Sequence, residues 1–88
     1  MLDEKRNSSS IQLAVVGLGA AARAFFKSFR EHPGIDWVAY AEPSQEVRSQ
    51  FNQTHADWGI RGYETLEAML EAEPSIDVVY IATPLFFG

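Results

Sequence analysis

Residues 17 to 22 read Gly17-Leu18-Gly19-Ala20-Ala21-Ala22, and a carboxylate, Glu42, stands 42 − 22 = 20 residues beyond Ala22. The first run has the form G-x-G-x-x-(G/A), in which each small residue has a physical task. Gly17 permits a tight turn out of a strand, Gly19 lets the backbone approach a pyrophosphate, and Ala22 keeps a helix close to a sheet. An anion on the start of that helix meets free N–H groups and the positive end of the helix dipole. A carboxylate about 20 residues further on is placed to accept hydrogen bonds from ribose hydroxyls. The two features together describe a dinucleotide site, with Gly17, Leu18, Gly19, Ala20, Ala21 and Ala22 around the diphosphate and Glu42 on the ribose. Each also has a plainer use: the glycines as a packing turn, and Glu42, beside Pro43, as a solvated turn residue. The flanking elements decide between these uses.

Those elements are the required ones. Ile11, Leu13, Ala14, Val15 and Val16 form an apolar run suited to a central parallel strand buried on both faces. A helix from Ala20 to Arg30 follows, rich in alanine, with Phe25, Phe26 and Phe29 as its apolar face. Pro33-Gly34 stops it. A second strand spans Ile35 to Ala41 and delivers Glu42 at its end. Ser44 caps a helix to about His55 that turns Val47 and Phe51 inward. Gly59 to Tyr63 reads as a third strand. Thr65 caps a short helix with Leu66, Met69 and Leu70 toward the core and Glu67 and Glu71 toward water. Asp77 to Ala82 is the fourth strand. The order βαβαβαβ predicts an α/β fold, a partial doubly wound parallel sheet with right-handed crossovers.

Composition narrows the function classes. Seven Lys and Arg against 12 Asp and Glu give a net charge of −5, which argues against a nucleic-acid partner, since phosphate binding needs a basic stripe. The absence of cysteine removes disulfides and thiolate metal sites and fits a reducing, cytoplasmic setting. No apolar run approaches the roughly 18 residues of a membrane helix, so no membrane partner is expected. The opening MLDEKRNSSS has no apolar core and reads as a disordered tail over residues 1–10, leaving 11–88 as the folded part.

A carboxylate at Glu42 repels a 2′-phosphate, and no Arg or Lys occupies residues 43 to 47 to attract one, so NAD is expected over NADP. Arg48 lies too far into its helix to serve as a substitute. His32 and His55 read as surface residues without a second ligand at metal spacing, so no metal site is expected. Trp37, Trp58 and the phenylalanines read as core. Arg23, one turn inside the phosphate-facing helix, reads as solvated.

Several segments occur in the order typical of one family: Val15-Val16-Gly17-Leu18-Gly19-Ala20, Val38-Ala39-Tyr40-Ala41-Glu42, Tyr63-Glu64-Thr65-Leu66-Glu67-Ala68-Met69-Leu70, and Ile76-Asp77-Val78-Val79-Tyr80-Ile81-Ala82-Thr83-Pro84. Over residues 11 to 84 the chain resembles the glucose–fructose oxidoreductase/inositol dehydrogenase (Gfo/Idh/MocA) family. The resemblance implies a Rossmann domain binding a nicotinamide dinucleotide, with Ala82, Thr83 and Pro84 lining the cofactor beyond the fourth strand. It implies oxidation or reduction of a hydroxyl on a sugar, inositol or related polyol. Two departures stand out. The family's histidine after Thr-Pro is replaced by Leu85-Phe86-Phe87-Gly88, and its Glu-Lys-Pro motif, whose lysine is associated with catalysis, falls beyond residue 88.

No catalytic residue is therefore expected within the chain, which reads as a Rossmann domain truncated after the fourth strand. That strand is then an open apolar edge suited to self-association. Two other readings keep the fold: a non-catalytic regulatory nucleotide-binding module or inactive relic, and a methyltransferase, against which the Ile-Ala-Thr-Pro phrase speaks.

Overall fold

A computed structural model of the chain describes residues 10–82. Its elements are β1 (Ile11–Val16), α1 (Ala20–Arg23), α2 (Phe26–Glu31), β2 (Ile35–Ala41), α3 (Gln45–Thr54), a 3-10 turn (Ala56–Trp58), β3 (Arg61–Tyr63), α4 (Leu66–Ala72) and β4 (Val78–Ile81). The four strands are all parallel, in the order β3-β2-β1-β4. This is the Rossmann-like α/β sheet expected from the sequence.

The strand order dictates where the helices go. The first two crossovers run outward from β1 to β3, and the third returns to the far side of β1. With right-handed connections, the helices before and after the reversal must cover opposite faces. One face accordingly buries Leu13, Val15, Trp37 and Tyr40 beneath Ala22, Phe26 and Phe51 of the first three helices. The other buries Ala14, Val38, Ala39 and Ala41 beneath Met69 of α4. Two covered faces explain why β1 and β2 read as nearly continuous apolar runs. The first face is largely aromatic: the Phe26 ring lies 5.2 Å from that of Trp37 and 5.5 Å from that of Phe51. Such pairs add about 0.5–1.5 kcal/mol each beyond their buried area.

Strand β2 carries a bulge. Leu13 pairs with Trp37, but the next residue of β1, Ala14, pairs with Ala39, so Val38 is extra. Val38 and Ala39 both join the α4 face, while Trp37 and Tyr40, three residues apart, both join the opposite one. The Trp37 indole N–H donates to the Ala39 carbonyl at 2.9 Å and bridges the bulge.

The helix expected from Ala20 to Arg30 is divided. The Phe25 N–H donates to the Ala22 carbonyl, an i→i−3 step, and Phe25 takes φ −110° between the two pieces. The tightened turn separates neighbouring aromatics: Phe26 is buried against α3, whereas Phe25, 46% exposed, rests on Phe29 and Tyr80. The expected caps are present, with Ser44 Oγ accepting from the Val47 N–H and Thr65 Oγ1 from the Ala68 N–H. The third strand begins at Arg61 rather than Gly59, because Gly59 (φ 70°) terminates the 3-10 turn. Leu70 is 44% exposed instead of buried; Met69 fills the α4 contact with the sheet.

Candidate functional site

The carboxyl ends of β1, β2 and β4 meet at one edge of the sheet. The Gly17 N–H donates to the Ala41 carbonyl and the Ala82 N–H to the Val16 carbonyl, both at 2.8 Å, while the Glu42 N–H donates to the Tyr63 carbonyl of β3. The expected site residues from Gly17 to Ala22, Glu42 and Ala82 therefore gather there. Thr83 and Pro84 lie outside the described residues.

Gly17 has φ +92°, a conformation in which an L side chain is strained, and this reverses the chain out of β1. Leu18 then drops its side chain into the core, leaving it 2% exposed. Gly19 stands at the N-cap of α1, and a Cβ built on it meets nothing within 4 Å. Its missing side chain is thus not required by packing within the described residues; it leaves open space before the helix. The first backbone bond into α1 runs from the Arg23 N–H to the Gly19 carbonyl, so the N–H groups of Ala20, Ala21 and Ala22 precede the helical ladder. Ala22, fully buried, seats this turn on the sheet. Open space over a row of N–H donors can accommodate a diphosphate.

Glu42 faces this turn. Its Oε1 accepts from the Leu18 N–H at 2.9 Å, and its Oε2 accepts from the Ser44 N–H at 3.0 Å. The carboxylate is therefore not a solvated turn residue; it ties the glycine turn to the start of α3. A carboxylate has about four lone-pair sites. These two bonds leave one on each oxygen, enough to accept both hydroxyls of a ribose diol.

Arg48 has a role that its position in the sequence did not suggest. Its Nη1 donates to the carbonyls of Glu42 (2.7 Å) and Pro43 (3.2 Å), and its backbone N–H to that of Ser44 (3.0 Å). Beyond Leu18, a cleft of about 390 Å³ opens between the α1–α2 segment and α3, lined by Arg23, Phe26, Val47, Phe51 and His55 among others. Arg23 is exposed at its margin, as the sequence suggested. His32 is exposed and its Nδ1 accepts from the Gly34 N–H. His55 departs from the surface reading. Its ring stacks on Trp58 at 3.7 Å, and burial pushes its pKa below the usual histidine value, with Asp57 opposing and Arg30 reinforcing.

A second polar cluster lies at the end of α4, and sequence reasoning missed it. Glu73 is buried, and its carboxylate accepts from Arg61 Nε, from Arg61 Nη2 at 2.8 Å and from the Tyr63 hydroxyl at 2.5 Å. The guanidinium, helped by the Tyr63 hydroxyl, holds the carboxyl below its ordinary range against the opposing effect of burial. The available signal was the period-2 spacing of Arg61 and Tyr63, which sets both on one face of β3. Among the described residues no group of three or more His, Asp or Glu side chains is arranged to hold a metal ion.

Comparisons with known proteins identify the family. Residues 11–88 match the profile of an oxidoreductase family with an NAD-binding Rossmann fold, GFO_IDH_MocA. No curated protein sequence matches significantly. Among solved structures, D-galactose-1-dehydrogenase from Rhizobium etli is 36% identical with a TM-score of 0.68, the match covering 86% of this chain and 22% of that one. A candidate dehydrogenase from Bordetella bronchiseptica RB50 is 31% identical with a TM-score of 0.64, covering 82% and 18%. A candidate NADPH-dependent oxidoreductase from Desulfitobacterium hafniense shares the fold at 22% identity and a TM-score of 0.72, covering 86% and 21%. The chain thus spans about a fifth of the length of these structures. With its glycine turn, strand order and strand-end acid in register, the chain belongs to the Gfo/Idh/MocA oxidoreductase family, and residues 11–88 correspond to its NAD(P)-binding Rossmann region.

Proposed function

We propose that residues 11–88 form part of a larger dinucleotide-binding domain, holding the adenosine and diphosphate end of NAD for an oxidoreductase that acts on a sugar, inositol or related polyol. The turn from Gly17 to Ala22 receives the diphosphate on its N–H groups. Glu42 accepts the two ribose hydroxyls. Ala82, at the end of β4, lines the far side. The bound nicotinamide supplies the hydride chemistry, and the catalytic groups come from outside the elements described above. The single observation that carries this reading is the Glu42 carboxylate, which faces the glycine turn with one lone pair on each oxygen left over. The 36% identity to a galactose dehydrogenase supports the substrate class. The charge of Glu42 favours NAD over NADP, and the lack of cysteine supports a cytoplasmic setting. No helix among the described residues is long and apolar enough to cross a membrane.

The test is titration of the chain with NADH and NADPH, followed by tryptophan fluorescence. NADH should bind at least tenfold more tightly. Tenfold tighter binding of NADPH would overturn the NAD assignment, and no binding of either would overturn the site.

A second reading, in which the nucleotide reports to a partner chain docked on β4, is favoured by one observation. Among the described residues one edge of β4 is unpaired, and Val78 and Ile81 on it are 46% and 60% exposed. A defined dimer in sedimentation analysis that is lost on Ile81→Lys would support self-association there; a monomer at all concentrations would sink it.

A further inference from the structure

We infer that Arg48 is a positioning residue for ribose recognition, acting on Glu42 through the Pro43–Ser44 peptide plane; this rests on the reading of Glu42 given above. Three successive carbonyls, those of Glu42, Pro43 and Ser44, accept hydrogen bonds from this one residue, two from Nη1 and one from its backbone N–H. The described chain contains no cis peptide, and in a trans peptide the carbonyl and the following N–H point in opposite directions. With the Pro43 carbonyl drawn toward the guanidinium, the Ser44 N–H is turned back over the strand end, where it meets Glu42 Oε2. The carboxylate is then held at both oxygens, by Ser44 on one side and by Leu18 of the glycine turn on the other.

The carbonyl side of that peptide plane is held by the guanidinium, and its N–H side by Glu42 Oε2. Pro43 has no N–H, and proline restricts the Glu42 backbone to extended conformations without choosing the orientation of the next peptide. The Ser44 side chain is engaged in capping α3 through the Val47 N–H. The guanidinium bond to the Pro43 carbonyl is the one that sets this orientation from the side away from the carboxylate. Its Nη1 is occupied by the turn itself, so this cation is directed at carbonyls rather than at an incoming phosphate. Arg48 thereby serves the same selectivity as Glu42 although it does not touch the ribose.

The experiment compares binding of NADH and 2′-deoxy-NADH to the unaltered chain and to Arg48→Met and Arg48→Lys, with circular dichroism confirming the fold of each. In the unaltered chain, loss of the 2′-hydroxyl should weaken binding about tenfold, the equivalent of about 1.4 kcal/mol. In Arg48→Met, NADH should weaken about tenfold while the two ligands become equal within about twofold. Arg48→Lys, which keeps a single donor nitrogen, should restore part of the preference and remains informative if the methionine variant fails to fold. A tenfold preference that survives in the folded variants overturns the role of Arg48 and leaves Glu42 as the ribose ligand. Absence of the preference in the unaltered chain overturns both.

Discussion

Replacement of Glu42 by alanine separates a structural carboxylate from a solvated one. Its two oxygens take one backbone N–H each, from Leu18 and Ser44. Hydrogen bonds to a charged group contribute about 1.5–3 kcal/mol each, and the lower end applies to a half-buried carboxylate. Glu42→Ala should therefore cost about 2–3 kcal/mol, against a total of roughly 4–13 kcal/mol for a domain of this size. With an m-value of about 1 kcal/mol/M in urea, the midpoint falls by about 2–3 M. Glu42→Gln keeps one acceptor and sets its amide N–H₂ against the other N–H, so its cost should fall between alanine and none, about 1–2 kcal/mol. Urea unfolding followed by the fluorescence of Trp37 and Trp58 reads both variants. NADH at about 100 times its dissociation constant should add roughly 2.7 kcal/mol to the unaltered chain and far less to Glu42→Ala. A solvated residue would move stability by less than about 0.5 kcal/mol. An alanine variant within that range, or a glutamine variant less stable than it, refutes the bonding described.

Other outcomes follow from single contacts. Gly19→Ala should leave stability within about 1 kcal/mol, since its Cβ meets open space at an ordinary φ of −75°, yet it should weaken NADH binding in a titration if that space receives the phosphate as proposed. Gly62→Ala should cost at least about 2 kcal/mol in urea unfolding, because its Cβ would lie 2.3 Å from Tyr40 Oη and 2.4 Å from Cζ. Adding Tyr40→Phe should not rescue it, because Cζ remains. Stability should also fall with acid in two windows. Burial lowers the His55 pKa, so its contribution is complete above its ordinary value of 6.5 and is lost as pH drops through the folded value. The Arg61 bond lowers the Glu73 pKa, so its contribution is complete above 4.5 and disappears below that. Glu73→Gln should flatten only the lower window of a pH–midpoint curve.

The parts of the fold that were legible in the sequence are those set by local chemistry. Strand β2 was read to its ends because turns bound it on both sides, and α3 and α4 because Ser44 and Thr65 cap them. The glycine turn was legible from its G-x-G-x-x-(G/A) form and Glu42 from its place at the strand end, which the structure sets opposite that turn. The rest depends on contacts distant in sequence or on competition among neighbours. The break at Phe25 arises because adjacent phenylalanines are drawn to different partners, Phe51 on one side and Tyr80 on the other. Leu70 has the right period for burial, but burial also needs a surface opposite it, which helical spacing cannot supply. Glu73 gave no signal in the sequence because its partners Arg61 and Tyr63 are 12 and 10 residues earlier, on a three-residue strand. Arg48 was judged by its distance along the helix, yet a long side chain folded back over the N-terminus reaches the carbonyls before it.

The extra residue in β2 changes what the interval between the glycine turn and the acid means. Val38 is absorbed locally: Ala39, Tyr40 and Ala41 pair with Ala14, Val15 and Val16 as they would if it were missing. Removing Val38 should therefore straighten the strand and leave Glu42 opposite Leu18, with 19 residues in place of 20 separating it from the turn. The count along the chain has a slack of one, and the fixed quantity is the pairing of the last three rungs. A motif search that demands a rigid interval would reject such a shortened chain, although its carboxylate would occupy the same place.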